Sequence, residues 1–173
     1  MKQILTLARK SIEARFLDRE PEISKDLKEK FSENQSCFVT ITKNNQLRGC
    51  IGSLQPTQEL YKDVVENSIS AAFRDPRFPP LEKEELKEIK IELSILSLPK
   101  KLEFKDEKDL LNKINSEMGL ILKKGFSVST FLPQVWLEIP DKTEFLEHLS
   151  MKASLSKDAW KTADLFYYTV EKI

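Results

Sequence analysis

Ile89, Ile91, Leu93 and Ile95 alternate with Lys90, Glu92 and Ser94, the period of two expected of a β-strand with one buried and one wet face. Strands of this kind belong to antiparallel sheets that bury one side. Strands of parallel sheets covered by helices read instead as unbroken apolar runs. Helical patterns surround the strand. Ile4, Leu5, Ala8, Ile12 and Phe16 recur at helical spacing over residues 3–18, and Ser24 can cap a shorter helix reaching Lys30. Pro56-Thr57 opens a second long helix with Leu60, Val64, Ser68, Ala71 and Ala72 on one side. Helices interspersed with hairpins, without a β-α-β series or glycine-rich turns, predict an α+β fold with mainly antiparallel pairing.

Cys37-Phe38-Val39-Thr40-Ile41-Thr42 reads as a strand, Asn44-Asn45 as a tight turn tolerant of positive φ, and Leu47 to Gly52 as the return strand. The return strand carries two of the chain's four glycines, Gly49 and Gly52. Glycines inside a strand mark a bulge, or a close approach by another backbone or a ligand. Simple alternation places Arg48, Cys50 and Gly52 on one face, and Leu47, Gly49 and Ile51 on the other. A guanidinium that can clamp a carboxylate or phosphate would then lie beside a thiol that it could activate. Composition alone equally allows a packed strand with Cys50 as a small core residue. With a two-residue turn, Val39 faces Cys50 and Cys37 faces Gly52. The two cysteines are then diagonal neighbours at roughly 7–8 Å, too far for a disulfide, so two free thiols are expected.

Asp75-Pro76-Arg77-Phe78-Pro79-Pro80 holds three prolines and ends the second long helix. Its charges either line a site or pair and cap locally, and the second reading carries the better prior. A charged helix is expected near Asp106 to Asn115, then a second hairpin from Gly119 to Thr130 turned at Lys124-Gly125. Asp141 with Glu144 resembles a capping box for a helix to about Leu155, and Leu165 to Val170 a final strand. His148, the single histidine, has no histidine partner and reads as a surface residue. No phosphate loop, dinucleotide fingerprint, nucleophile elbow or C-x-x-C pair occurs. The 28 basic and 28 acidic residues cancel, which argues against nucleic acid as a partner, and Trp136 and Trp160 sit among apolar residues as core aromatics do. No apolar run suits a secretory leader or a membrane span, and two cysteines are too few for a disulfide framework. The expected setting is cytoplasmic.

These blocks resemble the AMMECR-one domain family. The likeness runs through Leu47-Arg48-Gly49-Cys50-Ile51-Gly52-Ser53-Leu54, Ala71-Ala72-Phe73-Arg74-Asp75-Pro76-Arg77-Phe78-Pro79-Pro80 and Ile91-Glu92-Leu93-Ser94. It continues in Gly119-Leu120-Ile121-Leu122 and Thr130-Phe131-Leu132-Pro133-Gln134-Val135-Trp136, covering the chain from about Ser36 onward as a single domain. Ser150 stands where many microbial members carry cysteine, and Ser154 where glycine is common. The resemblance implies an α+β domain of two lobes with a cleft bordered by Leu47–Gly52. It also implies a shared pathway with a Memo-like protein and a radical S-adenosylmethionine protein. It names no cofactor and no metal.

Two readings of function follow. In one the chain is an enzyme or enzyme component that binds a small anionic substrate at Arg48, Gly49 and Gly52. Cys50 is then the nucleophile or ligand contact, and Asp75, Arg77 and Glu92 support it. In the other the chain is a non-catalytic adaptor for the Memo-like or radical-enzyme partner.

Overall fold

The computed structural model describes residues 2–173, and the chain divides into two compact units. One runs to Leu96 and takes in Glu171–Ile173, while the other is Ser97–Val170.

In the first unit the opening apolar repeat forms α1 (Lys2–Phe16), with Ile4, Leu7, Ala8 and Ile12 all buried. Ser24 caps α2 (Lys25–Lys30), its hydroxyl accepting from the Leu27 N–H at 3.3 Å. β1 (Cys37–Lys43) and β2 (Gln46–Gly52) are joined by Asn44 and Asn45, whose φ values of 52° and 60° make the doubly left-handed turn that twisted hairpins favour. The next helix, α3 (Leu60–Phe73), starts at Leu60 rather than at Pro56-Thr57. Glu59 just before it is held extended, bridged to Asn34, and the Leu60 N–H donates to the Glu33 carbonyl at 2.9 Å. A 3-10 turn (Lys83–Lys87) leads into β3 (Ile89–Leu96), and the chain's last strand, β8 (Val170–Lys172), returns to this sheet.

Strand order is β2-β1-β3-β8, with β1 antiparallel to both neighbours. Val39, Ile41, Leu93 and Ile95 point into a core shared with α1 and α3, so Phe38, Thr40, Glu92 and Ser94 lie on the opposite face.

The hairpin register departs from simple alternation. Thr42 faces Leu47 but Ile41 faces Gly49, which makes Arg48 the extra residue of a β-bulge. Beyond the bulge Thr40, not Val39, faces Cys50, and Phe38, not Cys37, faces Gly52. Leu47 therefore leaves the buried side and is 44% exposed. The bulge keeps Gly49 under α3, where a Cβ would stand 2.1 Å from the Ala71 carbonyl oxygen. Cys37 and Cys50 consequently sit on opposite faces, and both are free thiols.

The second unit contains β4 (Lys100–Lys101), α4 (Glu107–Lys113), β5 (Gly119–Lys124), β6 (Ser127–Phe131), α5 (Lys142–Lys152) and β7 (Asp164–Tyr168). Its antiparallel sheet has the order β4-β7-β5-β6. Asp106 and Asp141 cap α4 and α5 through the Asp109 and Glu144 N–H groups, at 2.8 and 2.9 Å. Leu120, Leu122, Phe145, Leu149, Trp160 and Leu165 form its core, and Trp136 stacks on Phe145. The β5–β6 turn falls at Gly125-Phe126, one step beyond the Lys124-Gly125 expected, with Gly125 at φ 61°. The final aromatic run is two strands, not one. Asp164–Tyr168 joins this sheet and Val170–Lys172 the other, with Thr169 between them.

Candidate functional site around Cys50

Cys50 is half-buried on the face turned away from α1 and α3, with Sγ 3.3 Å from the Thr40 hydroxyl. β2 is the outermost strand of its sheet, so the Cys50 peptide groups that face away from β1 need partners from elsewhere. The segment after α3 supplies them. The Cys50 N–H donates to Asp75 Oδ2 at 2.8 Å, and Arg77 Nη2 donates to the Cys50 carbonyl at 3.1 Å. Pro76, Pro79 and Pro80 have no N–H, which unsuits this segment to pairing as a strand, and its side chains bond to β2 instead.

Asp75 and Arg77 also hold each other. Asp75 Oδ1 accepts from the Arg77 N–H at 3.1 Å and from Nε at 2.9 Å, while Oδ2 accepts from Nη2 at 2.7 Å. The Arg77 guanidinium, aided by the Cys50 and Arg77 N–H groups, holds the buried Asp75 carboxyl well below the usual carboxylate range. The same guanidinium reaches the Cys50 backbone through Nη2. Its side chain is 53% exposed, and Nη1 has no acceptor among the described residues.

Arg48 is in a different position. Nε and Nη2 grip Glu85 Oε1 and Oε2 at 3.0 and 2.8 Å, and Nη1 and Nη2 reach the Pro79 and Pro80 carbonyls at 2.9 and 3.3 Å. Only 13% of the Arg48 side chain and 12% of the Glu85 side chain are exposed. Arg48, with further help from the Glu82 N–H and Lys43, pulls Glu85 down to a pKa of about 2. The arginine expected to meet an anion is thus largely buried and committed to Glu85 and the proline segment.

The glycines serve packing. Gly49 admits the α3 backbone, and Gly52 admits the Phe38 ring, whose Cγ would lie 2.3 Å from an added Cβ. Glu92 shares the Cys50 face as the cross-strand neighbour of Thr40, and its half-exposed carboxylate lies 3.4 Å from Lys172.

Sequence reasoning missed Thr40 because the bulge shifts its register by one, and missed Glu85 because it lies far along the chain. It also missed a buried carboxylate, Asp63. This group accepts from the Cys37 N–H at 2.8 Å, from Ser53 Oγ at 2.6 and 2.7 Å, and from Asn67 Nδ2 at 2.9 Å, tying β1 to α3. Burial, then the Asp63 charge, pushes the Cys37 thiol strongly up, so it stays protonated. His148 is half-exposed on α5, 3.9 Å from Glu144. Among the described residues no group of three or more His, Cys, Asp or Glu is placed to hold a metal ion. None of their helices is long and apolar enough to cross a membrane. A surface cavity of about 510 Å³ lies beside Leu7, Lys10, Ile23 and Leu27, and no residue of Leu47–Gly52 lines it.

Comparison with known proteins places this geometry in a family. The AMMECR1 family model matches residues 5–173, taking in the bulged hairpin, the proline segment and the second unit. The chain belongs to the AMMECR1 family. The AMMECR1 relatives include a protein of Methanosarcina acetivorans, 43% identical over 94% of this chain and 84% of its own length. Protein NEQ441 of Nanoarchaeum equitans is 39% identical over 95% of this chain and 93% of its own length. Among solved structures, the uncharacterized protein PH0010 from Pyrococcus horikoshii superposes with a TM-score of 0.78 at 33% identity. That match covers 98% of this chain and 88% of the other.

Proposed function

We propose that the chain is an enzyme or enzyme component whose site is the face formed by Cys50, Thr40 and Arg77, and that it binds a small anionic substrate there. The observation that carries this reading is the asymmetry at Cys50. Both outward peptide groups are fixed by Asp75 and Arg77, while the residue is half-buried and its Sγ has the Thr40 hydroxyl as hydrogen-bond partner. A fixed thiol beside a guanidinium with unused N–H groups suits a substrate carrying a negative or strongly accepting oxygen. Arg77 takes the anion-binding role that the spacing assigned to Arg48. Arg48, Glu85 and Asp75 act as positioning residues, Gly49 and Gly52 as the packing that shapes the strand, and Glu92 as the border of the face. The cleft beside Leu47–Gly52 belongs to this proposal.

NMR titration with a panel of small carboxylates and phosphates tests it. Shifts should cluster at Thr40, Cys50 and the Arg77 side chain and vanish in Arg77→Met. Perturbation centred on Arg48, or none at millimolar ligand, would contradict the assignment.

Leu47, exposed on the same face, supports a second reading in which that face docks a protein. A Memo-like protein and a radical S-adenosylmethionine protein are then the partners to test. Their capture by the wild type and loss with Leu47→Asp would favour docking over substrate binding.

A further inference from the structure

The ends of α1 and α3 meet at a group of charges that takes no part in the Cys50 face. Phe16 and Phe73, the last residues of the two helices, pack edge to face with ring centroids 5.2 Å apart, which sets the two C-terminal ends side by side. Beyond α1, Asp18 adopts the left-handed conformation at φ 50°, and the Arg19 N–H donates back to the Ala14 carbonyl at 3.2 Å. The result is a surface cavity of about 270 Å³ lined by Arg15, Asp18, Arg19, Glu20, Ile69 and Arg74. Neither Cys50 nor Arg77 lines it. We infer that this cavity is a binding site for a phosphorylated polyol of the size of a single sugar phosphate.

Basic residues at a helix C-terminus ordinarily serve its last carbonyls and the negative end of its dipole. Here the backbone supplies those partners. The Ala14 carbonyl also accepts from the Leu17 N–H at 2.9 Å, and the Arg15 carbonyl accepts from the Asp18 N–H at 3.2 Å. In α3 the Ser70 and Ala72 carbonyls accept from the Arg74 and Leu81 N–H groups, both at 2.8 Å. The guanidiniums are left over. Arg15 has only the exposed Asp18 carboxylate, 3.6 Å away, a pair that contributes little and is readily exchanged for a ligand. Arg19 and Arg74 have no acceptor for their guanidiniums among the described residues. Three guanidiniums around one small cavity repel one another. A phosphate dianion relieves that repulsion and accepts paired N–H bonds from a guanidinium plane.

The two carboxylates select the rest of the ligand. A bare phosphate would meet Asp18 and Glu20 as like charges and lose part of what the arginines provide. Glu20 has no cation within ion-pair distance among the described residues. Ionised carboxylates only accept hydrogen bonds, so this pair favours a body rich in hydroxyl donors. Half-buried Ile69 offers an apolar patch to the carbon skeleton. The cavity is smaller than the roughly 300–1,000 Å³ of pockets that hold drug-sized ligands, which suits one sugar phosphate and excludes a dinucleotide.

The Ile69 δ1 methyl, followed by NMR, reads the site directly. Ribose 5-phosphate, or separately glucose 6-phosphate, should shift this methyl saturably, with half-saturation below about 1 mM. Methyl phosphate carries the same head group without the hydroxyls and should bind at least about fivefold more weakly. Free ribose should leave the methyl unshifted. Arg19→Met and Arg74→Met should each weaken sugar phosphate binding by about tenfold, and Arg19→Lys should restore part of the loss. Glu20→Met should narrow the gap between ribose 5-phosphate and methyl phosphate. All three side chains are exposed, and thermal melts of the variants separate these effects from unfolding. Methyl phosphate binding as tightly as both sugar phosphates would overturn the polyol class. The site itself falls if neither sugar phosphate shifts Ile69 at about 10 mM, or if the shifts centre on Thr40 and Arg77.

Discussion

At the scale of single residues, two arginines 29 positions apart differ in setting, the Arg48 side chain being 13% exposed and that of Arg77 53%. Arg48 belongs to the interior. Removing it leaves the Glu85 carboxylate short of two charge-assisted bonds and frees two carbonyls. Arg48→Ala should cost roughly 2–3 kcal/mol of stability by urea denaturation. Its pH signature is specific. The Glu85 pKa is depressed to about 2 in the folded state, against about 4.3 in an unfolded chain. The stabilisation is therefore present above the unfolded value and lost as pH falls through about 4 toward 2. Glu85→Gln should flatten this acid limb, and an unchanged stability profile between pH 5 and 2 would deny the linkage. Gly49 is as strongly constrained, because its missing Cβ is the space that the Ala71 carbonyl fills. Gly49→Ala should destabilise the fold by about 3 kcal/mol, which chemical denaturation measures directly.

At the scale of elements, the hairpin shows how far the sequence could be read. Its strands and two-residue turn were legible because each has a local cause, β-branched and aromatic runs on either side of two asparagines that accept positive φ. Asn45→Val should cost about 1–2 kcal/mol by placing a β-branched residue at φ 60°, and Asn45→Gly should be neutral or stabilising. The bulge at Arg48 was not legible. It depends on how β2 meets α3 and the proline segment, and those contacts are not local in sequence. One extra residue turned Leu47 outward, replaced Val39 by Thr40 opposite Cys50 and separated the two cysteines. The same limit explains the C-terminal run, whose aromatic pattern does not reveal that Thr169 divides it between two sheets. Ser150 makes a related point within α5. Its hydroxyl donates to the Leu146 carbonyl at 2.9 Å and accepts from the Trp160 N–H at 3.1 Å. Ser150→Ala should cost about 1–2 kcal/mol through the unsatisfied Trp160 N–H, as read by a thermal or urea melt.

For the whole molecule, the fold class and the family were both within reach of the sequence, because alternation, caps and several ordered blocks recur along almost all of it. The candidate site was only partly so. Cys50, Asp75 and Arg77 were named from the sequence. Their arrangement, with Asp75 and Arg77 fixing the Cys50 peptide groups, depends on the edge position of β2. The central claim is that the fold separates its two thiols, leaving Cys50 half-buried on one face of the sheet and sealing Cys37 beside Asp63 on the other. Native-state labelling with neutral iodoacetamide, followed peptide by peptide in the mass spectrometer, tests this most directly. The predicted result is rapid labelling of Cys50, with Cys37 reacting only on the timescale of unfolding. Equal protection of both cysteines, or faster labelling of Cys37, would contradict it.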